Sequence, residues 1–323
     1  MNFKKMPKFI FCLILSAQFT FLLASCDFSN GTQTQTPNDD STDGSNNDST
    51  SDSTGTITDD NDVTITTPTT TTHNFELVSS NDVTYVYKCS DCDEEISTTI
   101  SCESGTENAS SVTNETITFS NLTSDTVYKI SGEFYGNIVI DVGDDYKFEL
   151  ELNGFTLSSS TNCPISILSG DKVTLSAKKE TINYVYYLRE AIDESDENAI
   201  SASVYSLCDL DIEGKGTLYV SSTNNNGIHT KDDLNIKNLT LQVECEDNAL
   251  KGNDSVTIES GKITLISRSG DGIKTTNSDV SSKGNQRGIV KITGGEVVIY
   301  AACDGIDAAY DVQIDETNAS VSL

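Results

Sequence analysis

The sequence predicts an all-β chain wound as a parallel β-helix, a solenoid with about 22 residues per coil. Two observations carry that prediction. From residue 75 onward, short runs such as KVTLSA, DLNIKNLTLQV and IVKITGGEVVIYA alternate apolar and polar residues and are rich in Val, Ile, Leu and Thr. That is the pattern of pleated strands with one buried side. The runs also return in register. Asn198-Ala199-Ile200, Asn226-Gly227-Ile228, Asn248-Ala249-Leu250, Asp271-Gly272-Ile273 and Asp304-Gly305-Ile306 follow one another at spacings of 28, 22, 23 and 33 residues. The last gap holds a polar insert, residues 275–287, and returns to the low twenties without it. Self-similarity at this period marks a repeat architecture; leucine-rich repeats need a motif absent here, and propeller blades run to about 40 residues.

The elements follow in chain order. Residues 1–8 are basic and residues 9–24 almost wholly apolar, ending in Leu23-Ala24-Ser25-Cys26. A 16-residue apolar stretch after a basic start reads as an export signal, residues 1–25, and is short for a spanning helix. The L-A-S-C ending resembles the lipobox of bacterial lipoproteins. The resemblance implies lipid attachment at Cys26, with the membrane met through that anchor only. Residues 26–74 form a Thr/Ser/Asp-rich tether, too poor in apolar surface to offset the entropy of ordering. Residues 75–111 are a cysteine-containing segment, and residues 112–323 the solenoid.

The charge is lopsided, with 50 acidic against 20 basic residues and a formal net charge of −30. Such a chain lacks the clustered Lys and Arg that nucleic-acid backbones require. Nine of the acids lie in the tether, which leaves 17 basic and 41 acidic groups on residues 75–323. That acidity suggests either cation binding or plain solubility. The sequence sets no oligomeric state.

In a β-helix, equivalent residues of successive coils stack at about 4.8 Å. Ile212, Ile236, Ile258, Ile292 and Ile314 form one expected inward file. The tripeptide starts form a polar column: Asn198, Asn226, Asn248, Asp271, Asp304. Its Asn members suit a corner ladder, because Asn and Asp tolerate left-handed turns. Stacked carboxylates at Asp271 and Asp304 repel unless a cation intervenes, and calcium suits hard oxygen ligands. A second column reads Ser201, His229, Lys251, Lys274, Asp307, with Asp232, Asp233, Asp254 and Asp311 just beyond it. Two readings stay open: a solvated edge of local ion pairs, or a calcium-supported groove.

His73 falls in the tether, so His229 stands as the only histidine of the folded part. Multi-His metal sites and Ser-His-Asp chemistry are thereby disfavoured. Cys89-x-x-Cys92 with Cys102 admits a disulfide, an incomplete zinc ribbon or a redox pair, and an exported protein favours the disulfide. Cys163, Cys208, Cys245 and Cys303 read as small core residues. With Trp absent, a sugar platform falls to Tyr: Tyr184, Tyr186 and Tyr187 cluster, and Tyr300 and Tyr310 flank Asp304.

Residues 197–220, 227–243, 249–266 and the D-G-I-D-A motif from Asp304 resemble bacterial carbohydrate-binding β-helix proteins first described from a cellulolytic clostridium. Residues 128–157 resemble that family's first coils. The resemblance implies a right-handed parallel β-helix related to polysaccharide lyases, bound calcium, and affinity for cellulose-like or acidic plant polysaccharides. It carries metal roles onto Asp232 and Asp233 (K-D-D-L), Asp254 (G-x-D-S-V), and Asp271 and Asp304 (D-G-I); Asp307 is a further metal candidate from its place in the second column. His229 stands where the family often has Lys, and Asn238-Leu239 replaces the usual Gly-Gly. The chain stops at Leu323 within a strand, which leaves an end for a partner or further sequence to cover.

The expected function is calcium-assisted polysaccharide binding at the cell surface, with His229, Lys251, Lys274, Tyr300 and Tyr310 as glycan contacts. The runner-up is a calcium-dependent polysaccharide lyase with Lys231, Lys251 or Lys274 as base. A structural adhesin rigidified by calcium is the third reading.

Overall fold

The computed structural model describes residues 73–189 and 200–323. The signal segment, Cys26, all but the last two residues of the tether, and Asn198 lie outside them. The described residues contain 26 strands and no helix. They form a parallel β-solenoid of about 8 turns with roughly 24 residues per turn.

Each coil contributes three strands to three faces. The first face stacks Lys172–Ala177, Leu210–Gly214, Asp233–Lys237, Ser255–Ile258, Ile289–Ile292 and Asp311–Ile314, all parallel. The second stacks Ile182–Tyr187, Thr217–Ser222, Thr240–Cys245, Lys262–Ser267, Gly295–Ala301 and Ala319–Ser322. The long strand Lys147–Ser159 feeds both, pairing with Lys172–Ala177 by its first half and with Ile182–Tyr187 by its second. The third face is a separate sheet in which Asn226–Thr230, Leu250–Gly252, Ile273–Thr275 and Ile306–Asp307 stack in turn.

Apolar files fill the interior. The expected isoleucine file is present in register and extends upstream through Leu175 and Leu150. Leu157, Val185, Val220, Val243, Leu265 and Ile299 form a second file. Every member of these files is buried except Ile314 in the last coil. Each coil therefore hides its apolar face only by stacking on its neighbours.

Corners between the first and second faces need a left-handed residue. Gly214, Gly261 and Gly295 supply it, and Asn238 does so at φ 68°, which accounts for Asn where the related pattern has Gly. At the same corner of an earlier coil, Asn183 is fully buried. Its Oδ1 accepts from the amides of Gly154 (2.9 Å) and Phe155 (3.0 Å), and its Nδ2 donates to Thr181 Oγ1 and the Thr217 carbonyl, both 3.1 Å.

The segment before the solenoid is not a separate body. Phe75–Ser80, Thr84–Cys89 and Glu95–Ser104 form an antiparallel meander, and Glu95–Ser104 pairs antiparallel with Thr126–Tyr135 of the first coil. His73 also leaves the expected tether: its ring stacks on Phe75 at 5.4 Å and meets Tyr135 edge-on at 6.4 Å. The described cysteines are all unbridged. The expected disulfide fails for Cys102 because the hairpin carries it away. Cys89 sits at the turn, whereas Cys102 lies seven residues along the returning strand, roughly 24 Å at strand rise, with its thiol donating to the Ser104 carbonyl.

Candidate functional site

The tripeptide column is a hydrogen-bonded ladder. Asn226 Nδ2 donates to the Ser201 carbonyl (2.7 Å), and Asn248 Nδ2 donates to Asn226 Oδ1 (2.8 Å). The Asp271 amide donates to Asn248 Oδ1 (3.1 Å), and the Asp304 amide to Asp271 Oδ1 (3.0 Å). Each side-chain oxygen thus satisfies a backbone donor one coil on. One register expectation needs correction. Asn226 pairs with Ala202, and His229 pairs with Tyr205 rather than Ser201.

The outward column of the third face reads Tyr205, His229, Lys251, Lys274, Asp307. Lys274 Nζ lies 2.6 Å from Asp271 Oδ2 and 2.7 Å from Asp307 Oδ2. These two hydrogen bonds hold the ammonium above its usual pKa. The chain's own lysine therefore meets the charges of Asp271 and Asp307. Burial pushes Lys251 the other way, below its usual value, helped by Lys231 and Lys274 and opposed by Asp247. His229 is buried, with its ring edge-on to Tyr205 at 5.3 Å. Burial and the Lys251 charge bring its pKa down to about 4.

The six candidate metal residues divide between two corners of the coil. Asp271 and Asp307 stay with Lys274, and Asp304 joins them through its amide to Asp271 Oδ1. Asp232, Asp233 and Asp254 lie at the opposite end of the third-face strands, where the chain turns onto the first face. There they meet Asp209, which sequence reasoning missed. Its signal was present: aligning Asp209-Leu210-Asp211-Ile212 with Asp233-Leu234-Asn235-Ile236 stacks Asp209 on Asp233, and the pairing of Leu210 with Leu234 bears that out.

At this corner one carboxylate oxygen from each of Asp209, Asp232 and Asp233 lies within 4.8 Å of the others. Asp254 is already matched, with Arg287 Nε at 2.5 Å and Asn277 Nδ2 at 2.6 Å. No ion pair among the described residues reaches Asp209, Asp232 or Asp233. Burial, then the charges of Asp209, Asp254 and Asp233, push Asp232 up to about 6. Burial and Asp233 raise Asp209 as well. Three hard oxygens with unmet mutual repulsion fit a hard dication.

The carboxylates line one end of a cleft of about 480 Å³ over the first face. Thr257, Lys291 and Gln313, stacked across three coils, form its floor. Residues 281–287 of the insert line its side. Tyr300 and Tyr310 are both exposed but lie elsewhere, Tyr300 on the second face and Tyr310 at the turn before Asp311. Tyr184, Tyr186 and Tyr219 form a parallel pile on the second face, with centroids 5.6 and 5.2 Å apart.

Residues 113–323, about two thirds of the chain, match the family described as carbohydrate-binding domain-containing protein. A curated carbohydrate-binding domain-containing protein of Acetivibrio thermocellus is 32% identical over 123 residues, 36% of this chain and 42% of that one. The chain thus spans less than half the length of this relative. Among solved structures, the polysaccharide lyase-like protein from C. thermocellum, studied as a gadolinium derivative, aligns at 26% identity with a TM-score of 0.58. The alignment covers 68% of this chain and 94% of that one.

Proposed function

The chain belongs to the carbohydrate-binding domain family, and on that premise we propose that the cleft over the first face is where a polysaccharide docks. The observation that carries this reading is the cleft itself: stacked polar side chains, Thr257, Lys291 and Gln313, beside a corner of carboxylates that no ion pair among the described residues reaches. Stacked coils offer hydrogen-bonding groups at about 4.8 Å intervals, comparable to the length of a sugar ring.

Asp209, Asp232 and Asp233 are the residues that would hold a calcium-class ion, with Asp254 adjacent. Such an ion supplies positive charge at the Asp209–Asp232–Asp233 corner, which no ion pair among the described residues reaches, and so favours glycans bearing uronate groups. The protein's own groups do the rest: Lys291 and Gln313 orient hydroxyls, and the Arg287–Asp254 pair fixes the insert beside the cleft.

The test is a glycan array run with calcium and with chelator. Binding to acidic glycans that calcium strengthens is the expected result. Binding unchanged by chelator removes the cation from the reading, and no binding to any glycan removes the docking cleft. A lyase reading is favoured by the register of Lys251 beside His229 on the third face, where burial holds the amine below its usual pKa. It predicts unsaturated uronide products that Lys251→Met abolishes. Attachment to the bacterial surface through Cys26 is proposed from Leu23-Ala24-Ser25-Cys26; membrane partition lost in Cys26→Ser would support it, and partition retained would refute it.

A further inference from the structure

The register of the amino-terminal meander gathers soft donors at one point. Phe75 faces Cys89 across the first hairpin, so the chain before Phe75 runs past the end of the second strand. There the Ser90 amide donates to the Asn74 carbonyl at 2.9 Å. The next turn closes by a 2.9 Å bond from the Cys89 amide to the Glu94 carbonyl, which folds Cys92 back over Cys89. His73 Nδ1 consequently lies 3.6 Å from Cys92 Sγ and 3.3 Å from Glu94 Oε2. Donor atoms of His73, Cys89 and Cys92 all lie within 4.8 Å of one another.

A tetrahedral ion with bonds of about 2.3 Å to sulfur and 2.0–2.1 Å to nitrogen has donor–donor edges of about 3.5–3.8 Å. The three donors therefore stand within roughly an ångström of ligating geometry. Phe75 and Tyr135 already pack against the imidazole. Sulfur donors select against calcium and for softer ions, so this cluster is chemically distinct from the carboxylate corner.

We propose that His73, Cys89 and Cys92 form a zinc-class metal site, with Glu94 placed to supply a fourth oxygen, that fastens the meander where it joins the solenoid. Binding replaces the two thiol protons, which pass to solvent, and needs no oxidant or reductant. The site ties residue 73 to the hairpin turn and stabilises the strands that cover the first coil.

The experiment is titration of the full chain, reduced and free of metal, with cobalt(II). The expected result is a thiolate-to-cobalt charge-transfer band with tetrahedral visible bands, saturating at one ion per chain and displaced by zinc. Cys92→Ser should lose the band. Cys92 lies exposed in the turn, so this variant tests ligation rather than folding, and an unchanged circular dichroism spectrum verifies that. Cys102→Ser and Asp232→Asn should keep the band. Absence of a thiolate band, its survival in Cys92→Ser, or a Cys89–Cys92 disulfide that forms in air despite equimolar zinc would each overturn the proposal.

Discussion

His229 makes the protein acid-labile in a way that can be computed and isolated. Its ring is buried on the third face, edge-on to Tyr205, with Lys251 in register on the next strand. One nitrogen meets Asn253 Oδ1 at 3.3 Å, and Nδ1 is buried without a hydrogen-bond partner. Burial and the Lys251 charge lower the pKa from 6.5 to about 4. A lowered pKa means the folded state prefers neutral imidazole. The stabilisation is complete above the unfolded value and is lost as pH falls through about 4. Linkage then gives a loss of about 2 kcal/mol between about pH 7 and about pH 4.5 from this group alone. The assay is urea unfolding of the wild type and His229→Gln at both pH values, comparing the two pH-dependent changes. The variant should lose about 2 kcal/mol less than the wild type. The chain has two histidines, so imidazole NMR titration, assigned with the same variant, reads the pKa directly. Equal pH dependence in both proteins, or a His229 titration near 6.5, refutes the reasoning.

Other outcomes follow from the corners. In chelator, the raised Asp232 pKa makes its contribution full below 3.8 and lost as pH rises through about 6. Asp232→Asn should therefore stabilise the cation-free protein by about 1 kcal/mol at pH 8, after allowing for screening at a partly exposed group. It should also abolish any rise in melting temperature on adding calcium. Asn183→Leu orphans the Gly154 and Phe155 amides and should cost about 2–4 kcal/mol in urea unfolding. At Gly214, φ is +124° and a Cβ would lie 2.1 Å from the Ala177 carbonyl oxygen. Gly214→Ala should destabilise by about 3 kcal/mol, visible as a lower melting temperature.

The interior was legible because its code is periodic. An inward position recurs once per coil and must be apolar, so the file from Ile212 to Ile314 could be read directly. The Asn226–Asn248–Asp271–Asp304 column was legible for the same reason. The preceding coil was misread by four residues. The expected 28-residue step from Asn198 is a 24-residue step from Ala202, and Ser201, Ala202 and Ser203 carry no side chain that marks the register. The candidate acids were found as types but not as places. A coil has several corners, and nothing in sequence spacing says that Asp254 turns to one while Asp271, seventeen residues on, turns to another. Asp209 was hidden because it precedes a strand whose motif differs from K-D-D-L. His73 and Cys89 met through antiparallel register, which a parallel period cannot encode.

The strands that run against the grain have a consequence for assembly. A parallel coil ends in an edge that repeats the edge beneath it, so bare coils invite another copy to continue the stack as a filament. Here Glu95–Ser104 lies antiparallel on Thr126–Tyr135, and Ser110–Val112 lies antiparallel on Thr116–Ser120. Antiparallel pairing spaces donors and acceptors differently from parallel pairing, so the translation that relates one coil to the next stops at these strands. The outer edge passes to Phe75–Ser80, six residues interrupted by an irregularity between Leu77 and Ser79, a poor template for a further strand to seed upon. At this end of the solenoid, the antiparallel strands break the coil-to-coil repeat that a second copy would need in order to continue the stack.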